Sequence, residues 1–224
     1  RISRRGFPRE TDMTSSRATQ LRRIRYGLWL LVAASALALG GTYFVRTIDF
    51  RDPSSPLTVG EAAVHSEFSL LDHNGTRVTE ADFQGRWQLV FFGFTYCPDI
   101  CPTTLAYMAE VLDRLGTESQ RIAPFFITVD PMRDTPAVMK EYVQAFHPDL
   151  IGLTGTEAET AAAAYAFRVY YEKMEEASAP DGYLMAHSGH MYLMTPEGRY
   201  EAVFREGEQS AQELASQIIT RMNR

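Results

Sequence analysis

An apolar run that breaks into a two-cysteine turn and then into a helix pattern fixes most of what this chain can become. It occupies Leu89 to Leu105, LVFFGFTYCPDICPTTL. The run from Trp87 to Phe94 has the continuous apolar character of a strand buried on both faces. After the turn, Pro102 to Leu115 carries Leu105, Met108, Ala109, Leu112 and Leu115 at helical spacing until Gly116 stops them. Cys97 and Cys101, the only two cysteines, sit between strand and helix. If the helix starts at or within the turn, their Cβ atoms come to roughly 5–6 Å on one face. Two thiols at that reach can close a disulfide or grip one soft metal ion. Unpaired N–H groups at a helix N-terminus also favour the thiolate form.

The rest of the chain supplies a sheet around that strand. Glu67 to Asp72 alternates apolar and polar residues, and Asn74-Gly75 turns the chain into Arg77-Val78. Ile122 to Val129 reads as a second buried strand, and Thr135-Pro136 opens a helix running to Phe146. Ile151 to Leu153 predicts a short strand, Thr156 opens an Ala-rich helix through Phe167, and Val169 to Lys173 predicts another strand. Met191 to Met194 and Tyr200 to Phe204 form a hairpin around Pro196-Glu197-Gly198, and Ser210 caps an amphipathic helix to Met222. Strands alternating with helices imply right-handed crossovers and a central sheet covered on both faces. A cysteine pair at the end of the first buried strand is the thioredoxin-like arrangement, although C-x-x-C is its usual form and C-x-x-x-C stands here.

The N-terminal part has a different character. Tyr26 to Val45 carries no charge over twenty residues, enough for a helix of about 30 Å, one bilayer core. Arg22, Arg23 and Arg25 precede it and Arg46 follows, which places the N-terminus in the cytoplasm and the main domain outside. A cleaved signal peptide, whose small-residue cleavage site would be the triplet Ala34-Ser35-Ala36, fits less well.

 That triplet lies within the run, not after it, where a cleavage site belongs. The chain opens on Arg1, and Met13, followed by Thr-Ser-Ser-Arg, reads as a natural start; an organelle transit sequence is the other reading of this Arg- and Ser-rich head. Residues 1–46 balance at +7 and residues 47–224 at −13. An acidic outer domain argues against nucleic acid, which requires basic patches. The expected division is a cytoplasmic segment 1–25, a transmembrane anchor 26–45, a linker 46–58 containing Pro53-Ser54-Ser55-Pro56, and one domain over 59–224.

Several ordered motifs give the domain a family resemblance. They are F-x-Y-C-P-D-I-C-P at Phe94 to Pro102, D-P-x-R-D-T-P at Asp130 to Pro136, and G-L-T-G-T at Gly152 to Thr156. R-V-Y-Y at Arg168 to Tyr171 and H-S-x-x-x-Y-L at His187 to Leu193 follow. Together they resemble the Sco/SenC family of membrane-anchored copper proteins. The resemblance implies an α/β, thioredoxin-like mixed sheet flanked by helices, and one copper ion, Cu(I) or Cu(II), held by Cys97, Cys101 and His187. It further implies delivery of that copper to the copper-bearing subunit of cytochrome c oxidase, during assembly of its dinuclear copper centre. Other copper chaperones or a thioredoxin-like reductant are further implied partners. The implied location is the inner (cytoplasmic) membrane, single-pass, with the C-terminal domain in the periplasm, or the mitochondrial intermembrane space in a eukaryote. The family usually has Asp directly before the ligand His, where this chain has Ala186; the change bears on tuning or partner docking more than on binding.

Donor chemistry agrees with that implication. Thiolates and imidazole suit Cu(I), and Cu(II) accepts nitrogen with one or two sulfurs, whereas structural zinc wants four protein ligands. His190 lies three residues beyond His187, on the opposite face of a shared strand, and reads as structural or exposed. His65, His73 and His147 sit in turn-like or helix-end contexts, and Met185, Met191 and Met194 read as core. Asp130, Arg133 and Asp134 are expected to fix the loop facing the cysteine turn, and Asp99 to bias its charge or meet a partner. The rival reading is a thiol–disulfide reductase with Cys97 as nucleophile and Cys101 as resolving thiol. Such reductases place a cis-proline opposite the cysteines, yet Asp181 to Thr195 contains no proline. Peroxiredoxins carry Thr three residues before the reactive Cys, whereas Thr95 stands two before Cys97.

Overall fold

The computed structural model describes residues 64–224, together with Ser35. The expected segment 1–25, the anchor 26–45 apart from Ser35, and the linker 46–58 lie outside the described residues. Among the described residues no helix is long and apolar enough to cross a membrane.

The elements follow in the order β1 (Ser69–Asp72), β2 (Arg77–Thr79), β3 (Trp87–Gly93), α1 (Ile100–Leu115), β4 (Ile122–Thr128), α2 (Pro136–Gln144) and β5 (Ile151–Thr154). Then come α3 (Glu157–Ala166), β6 (Tyr171–Glu175), β7 (Tyr183–His187), β8 (His190–Met194), β9 (Tyr200–Arg205) and α4 (Ala211–Met222). A seven-stranded mixed sheet has the order β2-β1-β5-β4-β3-β8-β9, and β6 and β7 pair separately. The central strands β3, β4 and β5 run parallel, while β8 joins β3 antiparallel. Every residue of β3 and of β4 is buried, as their unbroken apolar runs require.

Both faces of that centre are covered. On one, Phe91 stacks on Phe126, and Tyr142 of α2 packs on the same Phe126 ring at 5.6 Å. Gly152 lets α2 lie flush there, because a Cβ would come within 3.2 Å of Met139 and Val143. On the other face Phe92 meets Phe167 just beyond α3, and Phe68 and Phe83 close over Phe125. Helix α4 packs against α1.

The expected caps form: Thr135 accepts from the Val138 N–H, and Thr156 with Glu159 and Ser210 with Glu213 make capping boxes. Most strand and helix ends shift by a residue or two from the sequence reading, and three shifts have a clear local setting. Helix α1 starts at Ile100, two residues early, with Asp99 at its cap. Helix α2 ends at Gln144, because Ala145 and Phe146 donate back to Tyr142 and Val143 in a tighter final turn. Strand β6 starts at Tyr171, not Val169, because Val169 N–H still donates to Ala164 of α3 and Arg168 takes a left-handed φ of 56°. Strand β7 is additional to the elements expected from the sequence.

Candidate metal centre

The end of β3 delivers the chain into the cysteine turn. The Cys97 N–H donates to Phe94 O at 3.3 Å, so the turn closes on the strand that leads into it. Cys97 lies outside α1 and is partly exposed, whereas Cys101 is in its first turn and 0% exposed. The sulfurs still meet, because the Cys101 N–H points back at Cys97 Sγ, 3.4 Å away. Gly93 leaves room on the sheet for the Cys101 sulfur to settle.

His187 ends β7 and comes over the pair from the far side. Its Nε2 stands 3.2 Å from Cys101 Sγ, and its Nδ1 lies 3.2 Å from Ser188 O. For Nε2 to ligate an ion, the imidazole proton would sit on Nδ1 and be donated to that carbonyl. Phe94 and Phe91 hold the ring edge-on, at centroid distances of 5.9 and 6.0 Å. The three donor atoms lie within 4.8 Å of one another. An ion at about 2.0–2.3 Å from each nitrogen or sulfur could touch all of them after a small contraction. The donors fit a soft or borderline metal.

The two thiols are electrostatically unlike. The Cys101 thiol donating to Cys97 Sγ holds Cys97 down to about 4, with further help from His187 and the N–H groups of Asp99 and Cys101, against the opposing effect of burial. Sharing that proton with Cys97, burial and the neighbouring thiolate all push Cys101 up. In the metal-free pair the Cys101 thiol keeps its proton and donates it to the Cys97 thiolate.

A buried polar frame supports the turn. The Asp134 carboxylate accepts from Thr95 N (3.1 Å), Thr95 Oγ1 (2.5 Å) and Thr128 Oγ1 (2.6 Å), and burial raises its pKa. Arg133 Nε donates to Asp130 Oδ2 at 2.6 Å, and Tyr183 OH donates to Asp130 Oδ1 at 3.1 Å. The expectation that Asp130, Arg133 and Asp134 fix the facing loop agrees with these contacts.

A family model described as SCO1/SenC matches residues 58–223. The chain belongs to the SCO1/SenC family. Protein sco1 of Schizosaccharomyces pombe is 36% identical over 233 residues, covering 97% of this chain and 88% of that relative. The mitochondrial protein SCO1 homolog 1 of Arabidopsis thaliana is 48% identical over 141 residues, 62% of this chain but only 42% of that relative's length. Among solved structures, Arabidopsis thaliana ScoI with copper bound aligns with a TM-score of 0.65 and 40% identity, over 71% of this chain and 98% of that one. Bradyrhizobium japonicum ScoI with copper bound aligns with a TM-score of 0.66 and 39% identity, over 70% and 99%. The thioredoxin-like mixed sheet with flanking helices is the fold these SCO1/SenC structures share.

In this SCO1/SenC chain the other histidines stand apart from the triad. His190 opens β8 and accepts from Arg205 Nε at 2.6 Å. Its separation from His187 has a different cause from the one read in the sequence. The two histidines are not on one strand; Ser188-Gly189 divides β7 from β8, which belong to different sheets. His73 Nδ1 accepts from Gly152 N, His147 Nδ1 accepts from Asp149 N, and His65 bridges to Arg199. Met191 and Met194 are core residues, and Met185 packs at its margin. Ala186 faces Glu172 across the β6–β7 pair, and Asp99 is exposed. The sequence reading missed Gly93, Tyr96 and Tyr183. Gly93 carried a signal as a lone glycine inside a buried strand, Tyr96 only as a member of the cysteine motif, and Tyr183 none.

Proposed function

We propose that this protein is a membrane-anchored copper carrier. It holds one copper ion between Cys97, Cys101 and His187 and delivers it to the copper-bearing subunit of cytochrome c oxidase as the dinuclear copper centre is assembled. The observation that carries this reading is the closure of two sulfurs and one imidazole nitrogen to within 4.8 Å. The relatives described with copper bound support it, as does the family's role as copper-binding assembly factors of that oxidase. Loading displaces the proton that Cys101 retains, since Cys97 is already a thiolate. Cu(I) is satisfied by few soft donors, and Cu(II) also takes the imidazole. Cys97, the more exposed sulfur, offers the side from which a recipient's thiols exchange for the donors here. In this reading segment 1–25 is cytoplasmic, 26–45 is the anchor and 46–58 the linker, so that domain 59–224 would lie outside the cytoplasm.

A second reading, reduction of a partner's disulfide, is favoured by one observation: a partly exposed, low-pKa Cys97 beside a buried thiol. Metal analysis of the purified chain with its cysteines reduced separates the two. One copper per chain, lost when Cys97 and Cys101 are alkylated, is the expected result. No copper uptake, together with rapid turnover of a disulfide substrate, would replace the carrier with the reductase.

A further inference from the structure

Two different elements bring the donors together, and one guanidinium touches both. Arg133 is 8% exposed at its side chain, and its ion-pair partner Asp130 is 5% exposed. Its Cζ lies 4.6 Å from the ring centroid of Tyr96, the residue immediately before Cys97. It lies 3.8 Å from the ring centroid of Tyr183, the first residue of the strand that His187 ends. Arg133 Nη1 reaches Tyr183 O at 3.5 Å and Asp181 Oδ2 at 3.8 Å. Phe94, whose ring holds His187 edge-on, stands 5.9 Å from the same Cζ. Among the described residues the β6–β7 pair hydrogen-bonds to no strand of the main sheet, and β6 is mostly exposed. His187 itself is held by the edge-on rings of Phe91 and Phe94 and by Ser188 O at its Nδ1, but Arg133 is the group that joins its strand to the residue before Cys97.

We propose that Arg133 is the positioning residue that sets the spacing between the thiol pair and the His187 imidazole. Asp130 fixes the guanidinium, Tyr96 transmits its position to the cysteine turn, and Tyr183 transmits it to the histidine strand. A planar cation can stack on aromatic faces and donate in its own plane at the same time, which an ammonium cannot. Arg133→Lys therefore keeps the charge beside Asp130 while losing the stacking geometry. The metal arm of the test rests on the copper reading above; the second arm does not.

Arg133→Lys in the full-length chain should lose about 10–100-fold in Cu(II) affinity, the usual range for removing a residue that orients a ligand. Its thiolate-to-Cu(II) absorption should weaken, while Cu(I), held by the sulfurs, changes far less. In the metal-free protein, amide hydrogen exchange across Leu184 to His187 should accelerate, with exchange in β3 and β4 unchanged. Tyr96→Leu and Tyr183→Leu, each removing one face of the stack, should move the Cu(II) signal in the same direction, and they decide the matter if Arg133→Lys does not fold. Unchanged Cu(II) spectra and unchanged exchange in the folded variants would overturn the proposal, as would an equal loss of both copper ions. If the unaltered chain takes up no copper, the copper reading fails and hydrogen exchange alone decides the role of Arg133.

Discussion

Gly93 lies against the sulfur of Cys101: a Cβ on Gly93 would stand 2.7 Å from Sγ and 2.8 Å from Phe126 Cε2. Neither neighbour can retreat easily, since Cys101 is on a helix packed against α4 and Phe126 is stacked on Phe91. Gly93→Ala should cost about 1–3 kcal/mol, the range for overfilling a close-packed core. It should also weaken binding of both copper ions by displacing one sulfur. Urea unfolding and copper competition measure the two effects; a wild-type midpoint would show that α1 slides freely on the sheet.

Replacing either sulfur should abolish tight Cu(I) binding, because one thiolate and one imidazole are too few soft donors. The variants should differ in stability. Cys97→Ser, at a partly exposed position, should be nearly neutral only near pH 4 and should cost more as pH rises, because it removes the stabilising native thiolate. Cys101→Ser puts a smaller, more strongly hydrated hydroxyl at a fully buried position and should cost about 1–3 kcal/mol. Stoichiometric Cu(I) at wild-type affinity in either variant would remove that sulfur from the site.

His187→Ala and His190→Ala should separate cleanly. The first should lose the Cu(II) band and keep much of its Cu(I) affinity, and the second should keep both, since His190 is engaged with Arg205 in the main sheet. A reductase would keep its turnover in His187→Ala. Loss of the band in His190→Ala alone would transfer the nitrogen ligand to that residue.

The reduced, metal-free protein should become more stable as pH rises from about 4 toward the ordinary cysteine value of 9.0. In that window the native Cys97 is a thiolate while the unfolded chain still binds its proton, so the stabilisation is lost as pH falls through the folded value. Cys101 acts in the opposite sense, and above the ordinary value its retained proton should make stability decline with pH. Unfolding midpoints across this range, compared with those of a Cys97→Ser/Cys101→Ser double variant, isolate the effect. The same slope in the double variant would assign it to other groups.

The buried strands, the helix after the cysteines and the capped helices were legible because each depends on local pattern: unbroken apolar runs, helical spacing, and Thr or Ser before a helix. Cys97 and Cys101 were legible as a pair because only four positions separate them. Bringing His187 to them depends on β7, whose YLMAH sequence has no clear alternation and whose residues are all half-buried. The family motif therefore pointed to His187 where periodicity could not. The stacking of Arg133 between Tyr96 and Tyr183 was hidden for another reason. It joins positions far apart in the chain, and their ring faces converge only once the hairpin has folded over the loop.

The aromatic core on β3 and β4 is assembled from residues that need no ion, and the imidazole arrives on a ribbon outside the main sheet. In a zinc finger the metal's binding energy is the folding energy, so release means collapse. Here an ion would add only the mass-action increment that any ligand of the native state adds. Emptying the site leaves the container standing, and the same molecule can be refilled for another round.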